Sequence, residues 1–336
     1  MPELPDVTIY IEALQRLVVG QRLERIRLAS PFLLRSVHPP LMAAEGRVLC
    51  DVRRIGKRIV LVLEEDVFLV IHLMIAGRFH WKRPAAKIPP KVGLAALDFP
   101  RGTLVLTEAG PRKRAALHVV GSMDALRQFD SGGLEPFEAD LPSFREALTR
   151  ENHTVKRALT DPRLFSGIGN AYSDEILHRA RLSPVTLTKN LDEAAIGRLY
   201  EATRSVLTGW IERLRAGTGH EFPEHVTAFR AGMAVHGRYG HPCPVCSSSV
   251  QRIVYSANEA NYCPTCQTGG KLLADRALSR LLKSDWPRSQ EEFDDLRNRL
   301  RETGEKHSEN TEAPPRRRVA LRSDEKRKSR TRSSRS

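Results

Sequence analysis

The sequence predicts an α+β protein in which an antiparallel β region, introduced by one helix, precedes a helical region and a cysteine-rich hairpin. Three observations carry that prediction. Short β-type runs separated by polar turns occupy residues 22 to 120. From residue 123 onward, apolar residues recur at helical spacing. Two Cys-x-x-Cys pairs, Cys243 with Cys246 and Cys263 with Cys266, then stand sixteen residues apart.

The first element is an amphipathic helix over residues 6 to 19, with Val7, Ile11, Leu14 and Val18 on one face and Gly20 as its stop. Ahead of it lies Pro2-Glu3-Leu4-Pro5. The small side chain of Pro2 favours removal of Met1, which would leave a secondary amine at the chain start. An α-amino group titrates near about 7.7–8.0 and a lysine near about 10.4, so the terminal amine is the readier nucleophile at neutral pH. Attack on an aldehyde-like carbon would give an iminium, an electron sink for elimination, and Glu3 is close enough in sequence to supply or hold a proton. The plainer reading is an ordinary Met-Pro start with Pro5 opening a helix. The positive end of that helix dipole would disfavour a protonated amine and attract phosphate.

The β-type runs include 48–50, 59–63, 68–71 and 103–106, with turns at 64–66 and 100–102, as in an antiparallel sandwich or barrel. Helical spacing follows over 123–129, 143–150, 154–161, 171–180, 192–216 and 271–283. Between two of these, Phe165-Ser166-Gly167-Ile168-Gly169-Asn170 leaves backbone N–H groups at a helix N-terminus, which can take phosphate or simply form a helix-turn-helix loop.

The four paired cysteines suit a tetrahedral structural Zn²⁺ on a β-hairpin ribbon. Disulfides fit poorly, because five cysteines leave Cys50 over and the chain reads as cytosolic. Four sulfur ligands also leave no open position for catalysis at the metal.

The 336 residues suffice for two or three domains with cores of their own. No run of 18 apolar residues and no signal-peptide layout is present, so the expectation is a cytoplasmic protein without a membrane partner. The net charge of +14 favours a polyanion such as nucleic acid. Half of that charge lies in residues 311–336, which hold ten Lys/Arg against three Asp/Glu and read as a disordered tail able to add salt-sensitive DNA affinity.

Taken in order over residues 2 to 270, these motifs resemble the formamidopyrimidine-DNA glycosylase and endonuclease VIII family. The match consists of Pro-Glu-Leu-Pro, a Gly-Lys in an early hairpin, the Gly-Ile-Gly-Asn turn of a helix–two-turn–helix, and the terminal zinc hairpin. The resemblance implies an N-terminal β-sandwich domain over 1–122, a helix–two-turn–helix domain over 123–235 and a zinc-finger hairpin over 236–270. A helical extension (271–300) and a basic tail (301–336) would follow. It implies a monomer that binds double-stranded DNA carrying a damaged base or abasic site, nucleoid-associated if the source is bacterial.

In such an enzyme Pro2 would attack C1′ of a flipped nucleotide, Glu3 would assist ring opening, and Lys57 would contact phosphate and donate a proton. Lys156 and Asn170 match positions that bind phosphates flanking the lesion. Departures from the family pattern are equally specific. Asn258 stands where the hairpin normally carries an arginine used in phosphate contact and δ-elimination. Ala109 to Arg114 replaces an Asp-Pro-Arg-Arg-Phe-Gly loop, leaving Arg112 as the filling arginine without the aromatic wedge. Ile75 stands where a methionine would fill the vacated stack. The alternatives are a damage- or structure-specific DNA-binding protein that has lost base excision, and a zinc-ribbon transcription or RNA-binding factor.

Overall fold

The computed structural model describes residues 1–273 except 111, 225, 227–229 and 256–257, and beyond them 287, 289, 291–292, 295–296 and 298–299. Two compact units are present, Met1–Gln290 and Glu291–Ser336. All that follows concerns the first.

Helix α1 spans Leu4–Val18, two residues ahead of the expected start, because Pro5 is tolerated in a first turn. Eight strands follow: β1 (Arg25–Leu28), β2 (Leu49–Ile55), β3 (Arg58–Leu63), β4 (Val67–His72), β5 (Gly77–Lys82), β6 (Gly93–Phe99), β7 (Gly102–Glu108) and β8 (Ala116–Val120). They form two four-stranded antiparallel sheets, ordered β1-β6-β7-β5 and β2-β3-β4-β8, so the open choice resolves to a sandwich.

Ile59-Val60-Leu61-Val62-Leu63 is apolar throughout because both faces of its sheet are covered. Ile59, Leu61 and Leu63 join Leu69, Ile71 and Phe79 inside the sandwich. The alternate residues Val60 and Val62 pack with Phe68, Val70 and Leu126 on the outer face.

Helix α2 (Met123–Arg127) lies on the outer face of the sandwich, against the expectation that the helical domain begins at 123, and the helical lobe comprises α3 (Leu141–Thr149), α4 (Val155–Thr160), α5 (Asn170–Ala180) and α6 (Glu193–Thr218). Its core is built on Phe144, Leu159, Phe165, Tyr172, Ile176, Leu199 and Trp210. Helix α1 serves both cores. Val7, Tyr10, Leu14 and Val18 face the sandwich, whereas Leu4 and Ile9 pack into the helical lobe. The chain start is therefore anchored where the two lobes meet.

Beyond α6, β9 (Gln251–Tyr255) and β10 (Asn258–Tyr262) form an antiparallel hairpin, followed by the short α7 (Pro264–Thr268). Residues 271–273, expected to open a helix, are not helical, and Lys271 bridges to Ser289 instead. The rest of the expected 271–283 helix falls largely outside the described residues, as does the basic tail over 301–336.

Candidate active site

Glu3 organises the site. Its carboxylate accepts the N–H groups of Gly169, Ala171 and Tyr172 at 2.7, 3.0 and 3.3 Å, while Leu4 N–H donates to the Gly167 carbonyl at 2.9 Å. Glu3 is 2% exposed. These are the N–H groups that the Gly-Ile-Gly-Asn turn was expected to offer to phosphate, and the structure corrects that reading. A helix N-terminus draws the nearest anion, and here the fold supplies one from its own chain. Gly169 is required by close approach: a Cβ there would lie 2.5 Å from the Glu3 carboxylate and 2.6 Å from Lys57 Nζ.

That contact also places Lys57 opposite Glu3 across Gly169. Lys57 occupies the two-residue turn between β2 and β3, where Gly56 takes φ 57°. Burial holds its ammonium below the usual lysine range, with the Glu3 charge opposing the shift. Arg54, not anticipated from sequence, fixes the turn. Its Nη1 donates to the Gly56 carbonyl at 2.9 Å and to Ser166 Oγ at 3.1 Å, and its Nη2 pairs with Glu135. One guanidinium thus ties the Lys57 turn to the helical lobe.

Met1, Lys57, Arg58, His72 and Gly167 line a cleft of 280 Å³. Pro2 is buried directly beside it. Burial lowers the pKa of the terminal ammonium at Met1; Glu3 opposes this, and Arg78 and Lys57 add to it. His72 is pushed down to about 4 by burial and the charges of Arg58 and Lys57. Its Nδ1 accepts the Met74 N–H at 2.9 Å.

Behind α1, Asp6 accepts the Glu3 N–H at 2.9 Å and an Arg230 Nη2–H at 2.8 Å. Asp6 and Ile9, with Gly217 in the last turn of α6 and Phe222 and Arg230 beyond it, border a larger cavity of 630 Å³.

The remaining sequence-derived residues divide. Asn170 opens α5 half-buried, and its side-chain amide has no partner among the described residues. Lys156, expected to bind phosphate, is engaged within the protein. Its ammonium donates to Asp174 Oδ1 at 2.5 Å, Ser173 Oγ at 3.0 Å and the Asn170 carbonyl at 3.1 Å, with the residue 9% exposed. An ammonium has three donors, and all three are engaged internally. The buried Asp174 carboxylate draws it inward. Asp174 also accepts His236 Nδ1 at 2.8 Å and Asn261 Nδ2 at 3.2 Å, so Lys156 neutralises a junction between α5 and the hairpin.

Ile75 is 56% exposed in the turn between β4 and β5. Arg112 is exposed in the loop after β7, which Glu108 braces by accepting the Arg114 and Ala115 N–H groups at 2.7 and 3.0 Å. The backbone of Asn258 pairs with Tyr255 at the turn end of the hairpin, and its side chain lies outside the described atoms. Arg252, three pairs further from that turn, stands 4.5 Å over the Tyr239 ring and 3.5 Å from Glu259.

The sulfurs of Cys243, Cys246, Cys263 and Cys266 all lie within 4.8 Å of one another, with Cys243–Cys266 at 3.9 Å and Cys246–Cys263 at 3.3 Å. Tetrahedral Zn²⁺ with Zn–S of about 2.3 Å needs sulfurs roughly 3.8 Å apart, so the donor set fits. Val245 and Cys266 N–H groups donate to Cys243 and Cys263 sulfurs at 3.5 Å, as suits thiolate ligands. His178 Nε2 of α5 lies 3.3 Å from the Cys243 sulfur and joins the metal site to the helical lobe. The four cysteines are arranged for metal coordination as a structural Zn²⁺ site.

A sandwich and a helical lobe pinned together at a carboxylate beside the chain start, with a four-thiolate hairpin following, define a two-lobed zinc-finger protein built around its own N-terminus. Three family profiles match in the same order. The formamidopyrimidine-DNA glycosylase N-terminal domain matches residues 1–117, the formamidopyrimidine-DNA glycosylase H2TH domain 133–221, and the zinc finger found in FPG and IleRS 240–269. Formamidopyrimidine-DNA glycosylase of Thermus thermophilus is 34% identical over 278 residues, covering 80% of this chain and all of the relative.

A formamidopyrimidine-DNA glycosylase-like protein of Mycobacterium tuberculosis is 46% identical over 129 residues, covering 38% of this chain and 80% of the relative. Among solved structures, Lactococcus lactis Fpg with an abasic site-containing DNA superposes with a TM-score of 0.71 at 25% identity, over 79% of this chain and 99% of that one. MutM in complex with carbocyclic 8-oxo-G containing DNA gives 0.71 at 25% identity, over 80% of this chain and all of that one. The chain belongs to the formamidopyrimidine-DNA glycosylase and endonuclease VIII family.

Proposed function

We propose that the protein excises an oxidised or ring-opened base from double-stranded DNA and cuts the resulting abasic site by β-elimination through a Schiff base on Pro2. The observation that carries this reading is the meeting of Glu3 and Lys57 across Gly169, beside the buried chain start. Removal of Met1 would free the Pro2 amine one residue from the Met1 ammonium, whose protonated form burial disfavours against the opposing charge of Glu3. The amine attacks C1′ of the flipped nucleotide, the base departs with the glycosidic electron pair, and Glu3 passes the proton released by the attacking amine to the sugar-ring oxygen as the ring opens. The iminium acidifies C2′, and loss of that proton expels the 3′ phosphate. Lys57 contacts phosphate and serves in proton transfer.

Around this centre, Asn170 holds a flanking phosphate through its free amide, and the exposed Arg112 and Ile75 enter the vacated stack. The zinc hairpin presents Asn258 to the DNA, where the neutral amide supports β- over δ-elimination. The protein acts as a monomer in the cytoplasm. The relatives support the substrate class, since the similar Lactococcus lactis and MutM structures hold abasic and 8-oxo-G DNA.

Borohydride trapping on an abasic duplex tests the proposal. Wild type should form a covalent adduct, Pro2→Gly should impair it strongly, and a form retaining Met1 should form none. Absence of any adduct from the processed wild type, with duplex binding intact, would reject the lyase in favour of a DNA-binding protein that has lost excision.

A further inference from the structure

A second recessed surface lies at the far end of α5 from Glu3. Helix α5 has 11 residues, so its two ends are roughly 16 Å apart. The cleft there has a volume of 590 Å³ and is lined by the second half of α5, the middle of α6 and the zinc knuckle Pro244-Val245. Its rim carries Arg179, Arg181 and Arg213, all exposed. None of the three forms an ion pair among the described residues.

Glu175, the only acid among the described lining residues, is turned away. Its carboxylate accepts the Ala234, Val235 and His236 N–H groups at 2.7, 2.9 and 2.9 Å. The exposed rim of the cleft therefore carries three cations and no free carboxylate among the described lining residues. The macrodipole of α5 accounts for Arg179 and Arg181 at its C-terminal end. It does not account for Arg213, which lies before the last turn of α6 with its guanidinium 5.2 Å from the Trp210 ring centre. An arginine stacked on a ring keeps its in-plane N–H groups free for a carboxylate. Between the arginines the lining is apolar, with Val206, Trp210 and Pro244, and with Val245 62% exposed.

We propose that this cleft docks a short acidic peptide segment of a partner protein, one that pairs carboxylates with the arginines and seats an apolar side chain against Trp210 and Val245. Charge complementarity selects an anion, and the apolar floor selects among anions. A phosphodiester backbone has nothing to bury there, whereas a peptide carrying both carboxylates and a leucine does. The inference is independent of the Pro2 reaction, because no residue lining this cleft lines the one at Met1 and Lys57.

The test uses the full-length zinc-loaded protein and a fluorescent peptide of aspartates with two leucines, alongside a peptide with asparagine at each aspartate. The aspartate peptide should bind and the asparagine peptide should not. The triple variant R179A/R181A/R213A should weaken binding about tenfold or more, and Val206→Ser, on α6 away from the zinc knuckle, should weaken it with the charge unchanged. Zinc content and adduct formation at an abasic duplex should stay at wild-type levels in both variants. Because the basic tail is present throughout, equal binding by wild type and triple variant would assign the peptide to the tail and overturn the proposal. Displacement of the peptide by undamaged duplex in wild type, lost in the triple variant, would overturn it in favour of a nucleic-acid site.

Discussion

Gly169→Ala is the most searching perturbation of the site. Gly169 has extended backbone angles, φ −132° and ψ −158°, which alanine adopts freely, so the substitution introduces a side-chain clash and no backbone strain. The new Cβ would lie 2.5 Å from the Glu3 carboxylate and 2.6 Å from Lys57 Nζ. Relief to ordinary contact at 3.4 Å requires both groups to withdraw by roughly 0.9 Å. That displacement breaks one or two of the N–H bonds held by Glu3, at about 1.5–3 kcal/mol each for a charged acceptor.

The expected loss of stability is about 2–4 kcal/mol, and misplacement of the reacting groups by nearly 1 Å should slow the reaction about 10²-fold. Single-turnover cleavage of an abasic duplex, with urea unfolding in parallel, reads both. Gly197→Ala is the control, since open space surrounds that position inside α6 and alanine should stabilise by up to about 1 kcal/mol. A Gly169→Ala protein cleaving at the wild-type rate with unchanged stability would refute the argument that Glu3 and Lys57 work as a pair packed on this glycine.

Three further outcomes are expected. Cys246→Ser should remove the metal and weaken duplex binding, read by metal analysis and titration; a zinc-free protein with full affinity would contradict the structural site. His72 titrates near 6.5 when unfolded and about 4 when folded, so its contribution is fully present above pH 6.5 and lost as pH falls to 4. The loss should reach about 3 kcal/mol and vanish from the pH dependence of His72→Gln, measured by denaturant unfolding. Asn258→Arg should raise the share of δ-elimination product on an abasic duplex; complete β,δ-elimination by wild type, unaltered in the variant, would show that position 258 does not govern the second step.

Much of the fold was legible because it is encoded at short range. The apolar spacing over 171–180 and 192–216 corresponds to α5 and α6, and the run 59–63 corresponds to β3. The Cys-x-x-Cys pairs place their sulfurs together because each pair closes a local knuckle and one hairpin joins the two. The Gly56-Lys57 turn follows similarly from its neighbouring strands.

The sequence by itself determined most of the elements, their order and the metal ligands, since each rests on periodicity or on spacing over a few residues, and its ordered motifs carried the family resemblance. Only the tertiary structure decided where charges go. Glu3 and Gly169 are separated by 166 positions, and nothing local in either says that the carboxylate will occupy the N-terminus of α5. Lys156, matched in sequence to a phosphate-binding position, is the buried counter-charge of Asp174, because an isolated carboxylate in that core would be too costly to leave unpaired. Arg54 likewise joins Gly56, Ser166 and Glu135, the last two far from it in sequence. A sequence shows which charges exist, but pairing depends on distances of a few ångströms between segments brought together only when α1 packs into both cores.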